Sequence, residues 1–130
     1  MKTVLATLCA VVPCALVGCT VLTESSARYS DAPTLPPRSG WVVVTRVEPW
    51  RPYQALGEIV LESYVNPPVD TQVLEGKLQS GAAALGADAV LVTFDRVLPV
   101  ANGATNAYAT QRGDPDWKRR LVGMAIKYRE

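Results

Sequence analysis

Residues 74–90 read Leu74-Glu75-Gly76-Lys77-Leu78-Gln79-Ser80-Gly81-Ala82-Ala83-Ala84-Leu85-Gly86-Ala87-Asp88-Ala89-Val90, and this stretch decides the fold. Leu74, Leu78, Ala82 and Leu85 recur at steps of four, four and three, which places them on one stripe of an α-helix. Gly86 follows directly and predicts a left-handed C-terminal cap. Ala87-Asp88 then turns into an apolar run of strand type. A helix that ends this way needs a sheet beneath it. Upstream, Asp70 reads as the helix N-cap, with Val69 and Leu74 placed for a hydrophobic staple. The helix is therefore expected over about 71–85. Gly76 and Gly81 each weaken it by about 1 kcal/mol relative to Ala, and they allow close approach to a sheet.

Strand patterns lie on both sides of this helix. Trp41 to Val47 is β-branched and alternates toward its end, and Pro49 and Pro52 stop it. Residues 56–65 alternate cleanly, with Ile59, Leu61 and Val65 on one side and Glu58, Glu62 and Tyr64 on the other. Ala89 to Leu98 is largely apolar. Residues 99–117 lack a period and read as a long exposed loop. A last strand over about 119–129 sets Val122, Met124, Ile126 and Tyr128 against Leu121, Gly123, Ala125 and Lys127. The predicted order is β-β-α-β-β, an α+β domain over residues 41–130 with one helix packed on a sheet of about four strands.

Three segments carry a family resemblance: 53–59 (Tyr-Gln-Ala-Leu-Gly-Glu-Ile), 78–90 with its Ala82-Ala83-Ala84-Leu85-Gly86-Ala87-Asp88-Ala89-Val90 junction, and 122–126 (Val-Gly-Met-Ala-Ile). Together they resemble the YbjQ-type family, labelled heavy-metal-binding, and its RcsF-like stress-sensor lipoproteins. The likeness spans about 42–128 and implies an envelope domain with a sensing or regulatory role. Two departures limit it. The sensor lipoproteins hold disulfides within the domain, whereas no cysteine follows Cys19 here. The metal label also lacks soft ligands, since the chain has no His and its other cysteines, Cys9 and Cys14, precede Cys19. The junction also has a reading without any family: small alanines let a helix lie close on a sheet, and Gly86 turns the chain.

The start of the chain speaks to location. Lys2 precedes an apolar run over 3–17, which is shorter than the roughly 20 residues a spanning helix needs and matches the core of a secretory signal. The run ends in Leu16-Val17-Gly18-Cys19, which resembles the lipobox of bacterial lipoproteins. Cleavage after Gly18 and acylation of Cys19 are the expectation, with residues 1–18 as signal peptide. Two or three acyl chains would then hold the protein on a membrane. Thr20, where inner-membrane retention uses Asp, favours the periplasmic face of the outer membrane over the inner membrane. Residues 19–40, with Ser25, Ser26, Ser30, Pro33, Pro36 and Pro37, read as a flexible tether reaching on the order of 60 Å.

Composition excludes several chemistries. The 130 residues carry 13 Lys+Arg against 12 Asp+Glu, and losing Lys2 with the leader balances them. Without net charge there is no long-range field for nucleic acid, so none is expected as a partner. The lack of His removes the commonest general base and the commonest zinc ligand. Ser80 lies in no nucleophile elbow. Gly103 and Gly113 form no phosphate loop, and Asp114-Pro115-Asp116 lacks the spacing of a calcium loop. Glu58 and Glu62 share a strand face but sit about 13 Å apart, too far for a glycosidase pair. No catalytic residue, cofactor site or metal site is expected. Two surface features remain: the Trp50-Pro52-Tyr53 corner, read as a plug on the core or a binding corner, and the Lys118-Arg119-Arg120 step beside Trp117, read as a solvated strand entry or a contact for lipid phosphate or an acidic partner. The chain thus reads as a non-enzymatic, membrane-anchored envelope lipoprotein acting through contact with an envelope protein or a second copy. A stress-sensing lipoprotein is the alternative, and a small ligand carrier or enzyme the third reading.

Overall fold

The computed structural model describes residues 22–65, 68–100 and 117–130. Six elements follow one another: β1 (Leu22–Arg28), β2 (Val43–Thr45), β3 (Tyr53–Tyr64), α1 (Thr71–Ala84), β4 (Ala89–Pro99) and β5 (Trp117–Tyr128). The strands form one sheet of five in the order β1-β3-β5-β4-β2. All neighbours are antiparallel except β2 and β4, which run parallel. Among the described residues the domain is α+β with a single helix, as the sequence pattern predicts, but the sheet has five strands and not four.

The additional strand is β1, and it lies in the stretch expected to be a flexible tether. Leu22 to Arg28 pairs in full with β3, from Leu22 opposite Ser63 to Arg28 opposite Gly57. Residues 29–40 continue as a strap over the end of the helix. Leu35 and Ala32 pack against the core, and the Arg38 backbone N–H donates to Ala83 at 2.8 Å. The misreading has a physical cause. An outer strand left exposed along five of its seven residues needs no apolar alternation, so Thr23-Glu24-Ser25-Ser26 carries no strand signal in its composition.

The helix forms as its sequence demands. Asp70 accepts the Gln72 N–H at 3.0 Å, and Gly86 takes φ +81°. Leu74, Leu78 and Ala82 are buried against Ile59, Leu61, Val90, Leu121 and Ala125 of the sheet, while Leu85 is half-buried. The two helix glycines differ. A Cβ on Gly81 would stand 3.0 Å from Ile59, whereas one on Gly76 would meet nothing. The glycines of the resembling segments are fixed by packing too. A Cβ on Gly57 would fall 2.4 Å from the Ala27 carbonyl oxygen, and one on Gly123 would fall 2.6 Å from Val90 and 3.0 Å from Leu78.

Other boundaries move. The strand expected from Trp41 shrinks to Val43–Thr45, with Val42 buried and Trp41 75 % exposed. The loop expected over 99–117 falls mostly on residues 101–116, outside the described residues. Each of β3 and β4 carries a bulge, between Ala55 and Gly57 and between Val92 and Phe94. The extra residue in β4 turns Phe94 to the face opposite Val122 away from the helix, and Asp95 to the helix side opposite Leu121. Asp95 thereby reaches the charged groups around the start of α1.

Candidate functional site

The sheet has two distinct ends. At the helix-exit end, where α1 finishes and β4 begins, Asp88 gathers its neighbours. Its carboxylate accepts from the Tyr128 backbone N–H at 3.1 Å and from Lys127 Nζ at 2.9 Å, and it pairs with Arg38 of the strap. Burial works to raise this carboxyl, but the Lys127 hydrogen bond, the Tyr128 N–H and the charges of Lys127 and Arg38 outweigh it. Its pKa lies below the usual carboxylate range. The 46–52 connection folds back on the same end: Arg51 lies 4.6 Å over the Tyr128 ring, and the Tyr53 hydroxyl donates to Glu48 at 3.0 Å. That hydrogen bond, with a smaller share from burial, raises the Tyr53 pKa. Trp50 is 92 % exposed and plugs nothing, so the corner reading as a core plug is not what the fold uses.

At the helix-entry end, β5 opens with Trp117-Lys118-Arg119-Arg120, and strand alternation divides the basic step in two. Arg119 points to the helix side, where Nε and Nη2 each donate to Asp95 at 2.8 Å and Nη1 reaches Thr71 at 3.2 Å. Arg46 joins from the other edge, 2.9 Å from Asp95 and 3.2 Å from Glu75. The hydrogen bond from Arg119, against some burial and with help from Arg46, holds Asp95 below the usual carboxylate range. Arg119 is raised in turn, chiefly by Asp95. This cluster is structural: its charges are spent on one another.

Lys118 and Arg120 project to the opposite face. With Glu62, Leu98, Pro99 and Val100 they line a cavity of about 160 Å³, the candidate site. Lys118 lies opposite Tyr64 and Leu98, with Nζ 4.8 Å over the Tyr64 ring. Arg120 lies opposite Glu62 on one side and Arg96 on the other. Its pair with Glu62 is long, 3.8 Å, and Arg96 directly across is a like charge, an unfavourable neighbour unless an anion intervenes. Among the described residues, Lys118 and Arg120 thus share the cavity with the Glu62 carboxylate, while the Arg96 guanidinium lies 5.8 Å over the Phe94 ring. Leu98 is exposed on the same face, and Trp117 (45 %), Val97 and Val65 are exposed at the same end of the sheet, Trp117 and Val97 on the Arg119 face. The chemistry on offer is anion and apolar binding.

The remaining sequence candidates are placed as follows. Leu16, Val17, Gly18 and Cys19, and likewise Gly103, Gly113, Asp114 and Asp116, lie outside the described residues. Ser80 donates to the Gly76 carbonyl one turn back and serves the helix alone. Glu58 and Glu62 part company: Glu58 faces Tyr29, whose hydroxyl pKa is raised by burial and then by the Glu58 charge, while Glu62 enters the cavity. Among the described residues no group of three or more Cys, Asp or Glu side chains converges to hold a metal ion. No described helix is long and apolar enough to cross a membrane. Sequence reading singled out the basic step but missed that Glu62, Leu98 and Val100 join it. The period-2 split of residues 118–120 was the available signal. Compared with known proteins, the chain matches no family model, no curated protein and no solved structure.

Proposed function

We propose that this chain is a lipid-anchored envelope protein, carried on the outer membrane through acylated Cys19, that works by contact and not by catalysis. The observation that carries the reading is Leu16-Val17-Gly18-Cys19 placed directly behind a positively charged start and an apolar run of signal length. The entry-end corner, cationic and apolar, supports the contact role. A regulatory lipoprotein is the second reading, on the strength of the 82–90 junction. Any sensing would have to proceed without a disulfide in the domain, because no cysteine follows Cys19.

Labelling cells with radioactive palmitate tests the anchor. The wild type should incorporate label, and Cys19→Ser should abolish it. A serine variant that still labels would refute the assignment. Crosslinking the intact protein in its own envelope, followed by mass spectrometry, separates contact with one protein partner from self-association.

A further inference from the structure

The distance from Cys19 to the sheet restricts what the domain can face. Leu22 is already the first residue of β1, so only Thr20 and Val21 separate it from the cysteine. Three Cα–Cα steps span at most about 10 Å whatever their conformation. A domain on a long tether could present any side to the bilayer; this one cannot. Leu22 stands at the helix-entry end, in one cross-strand row with Ser63, Arg119 and Val97. At roughly 4.8 Å between strands, that row runs only about 14 Å from Leu22 to Val97.

One residue further toward the rim come Tyr64, Lys118 and Leu98, then Trp117 opposite Pro99, with the Val65 N–H on the Trp117 carbonyl at 3.0 Å. These residues have the character of a bilayer interface. Trp117 is amphipathic and half out in solvent, Leu98, Val97 and Val65 are exposed, and Lys118 and Arg120 line the cavity with Glu62, its one carboxylate among the described residues. Tryptophan favours headgroup depth, and cations near an anionic leaflet are attracted to lipid phosphate. A phosphate between Arg96 and Arg120 would also relieve their like-charge opposition. Chain length and surface chemistry, two separate observations, select the same end.

We propose that the domain docks end-on against the phospholipid surface that holds its anchor, with Trp117, Leu98 and Val65 at the headgroup–acyl boundary and Lys118 and Arg120 on lipid phosphate. The docking rests on the acylation of Cys19. It leaves the helix-exit end, with Trp50 and Trp41, pointing away from the membrane.

Acylated full-length protein, purified from membranes and reconstituted in vesicles, tests this with its own tryptophans. The double variant Trp41→Phe/Trp50→Phe leaves Trp117 as sole reporter, and Trp41→Phe/Trp117→Phe leaves Trp50. In vesicles of phosphatidylglycerol with acyl-brominated phosphatidylcholine, Trp117 should shift to the blue and lose most of its emission, whereas Trp50 should do neither. Lys118→Glu with Arg120→Glu should restore much of the Trp117 emission, as should replacing phosphatidylglycerol by phosphatidylcholine. Palmitate labelling of the same preparations separates two failures. Label present with Trp117 unquenched, or with Trp50 quenched equally, overturns the docking and leaves the anchor standing. Label absent, with protein that does not float with the vesicles, overturns both.

Discussion

The two ends of the sheet use charge in opposite ways. At the helix-exit end Asp88 holds Lys127, Arg38 and the Tyr128 backbone together, linking the helix-to-strand turn, the last strand and the strap. Asp88, Lys127 and Arg38 each have a partner within the fold. At the rim of the helix-entry end, the partners of Lys118 and Arg120 among the described residues are Glu62 at 3.8 Å and the Tyr64 ring, with Arg96 opposite. The first arrangement makes the structure; the second leaves binding capacity unused. Arg119, between Lys118 and Arg120 in sequence, belongs to the first kind because alternation turns it inward to Asp95. Adjacent residues of one basic step therefore serve different ends.

Substitutions should sort along this division. Leu78, fully buried between both ends, sets the scale: Leu78→Ala should cost roughly 2–5 kcal/mol in denaturant unfolding. A loss under about 1 kcal/mol would mean that the helix stripe does not face the sheet. At the exit end, Gly86→Ala should cost about 1–2 kcal/mol, because φ +81° disfavours any Cβ and this one would lie 2.7 Å from Leu35. That loss also tests whether the strap belongs to the domain. Leu35→Ala should likewise destabilise a strap-dependent domain and leave a merely tethered one unchanged.

Acidity sharpens the contrast next. Asp88 and Asp95 both have pKa values depressed in the folded chain. Their contribution is complete above the ordinary carboxylate value, about 4, and is lost as pH falls through the lower folded values. Melting temperature should therefore drop on acidification below about pH 4. Asp88→Asn keeps an acceptor for Tyr128 but gives up the charge. It should cost about 1–3 kcal/mol at neutral pH and flatten the acid slope, with Asp95 responsible for the remainder.

The rim should behave otherwise. Lys118→Ala, Arg120→Ala and Trp117→Ala should each change stability by no more than about 0.5 kcal/mol, since they are partly exposed and hold no element in place. A rim substitution as damaging as Asp88→Asn would erase the division. The smallest effect expected is that of metal: Zn²⁺ or a chelator should leave the melting temperature unchanged, and a single stoichiometric Zn²⁺ site seen by calorimetry would contradict the absence of soft ligands after Cys19.

How much of this was legible in the residues differs from element to element. The stripe Leu74, Leu78, Ala82, the Asp70 cap and the Gly86 turn are local statements, and the structure carries each of them. The alternation of β3 is equally local, because one buried face imposes a period on side chains, whereas β5 is buried on both faces over Leu121–Ile126. The edge strand β1 was not legible. An exposed strand draws its order from hydrogen bonds to β3, and backbone hydrogen bonds leave no trace in side-chain pattern.

Sequence alone determined that a helix must end at a glycine and lie on apolar strands, that the domain lacks His and any cysteine beyond Cys19, and that Leu16-Val17-Gly18-Cys19, which resembles a lipobox, precedes it. Only the tertiary structure decided that Leu22 enters the sheet at once and that a bulge in β4 sends Asp95 inward to Arg119. It also brought Glu62, Leu98 and Val100 beside Lys118 and Arg120. The reason is one of range. Periodicity and capping are set by neighbours a few residues apart, whereas register, bulges and the meeting of strand ends are set by pairing between residues that lie as far apart as Leu22 and Ser63.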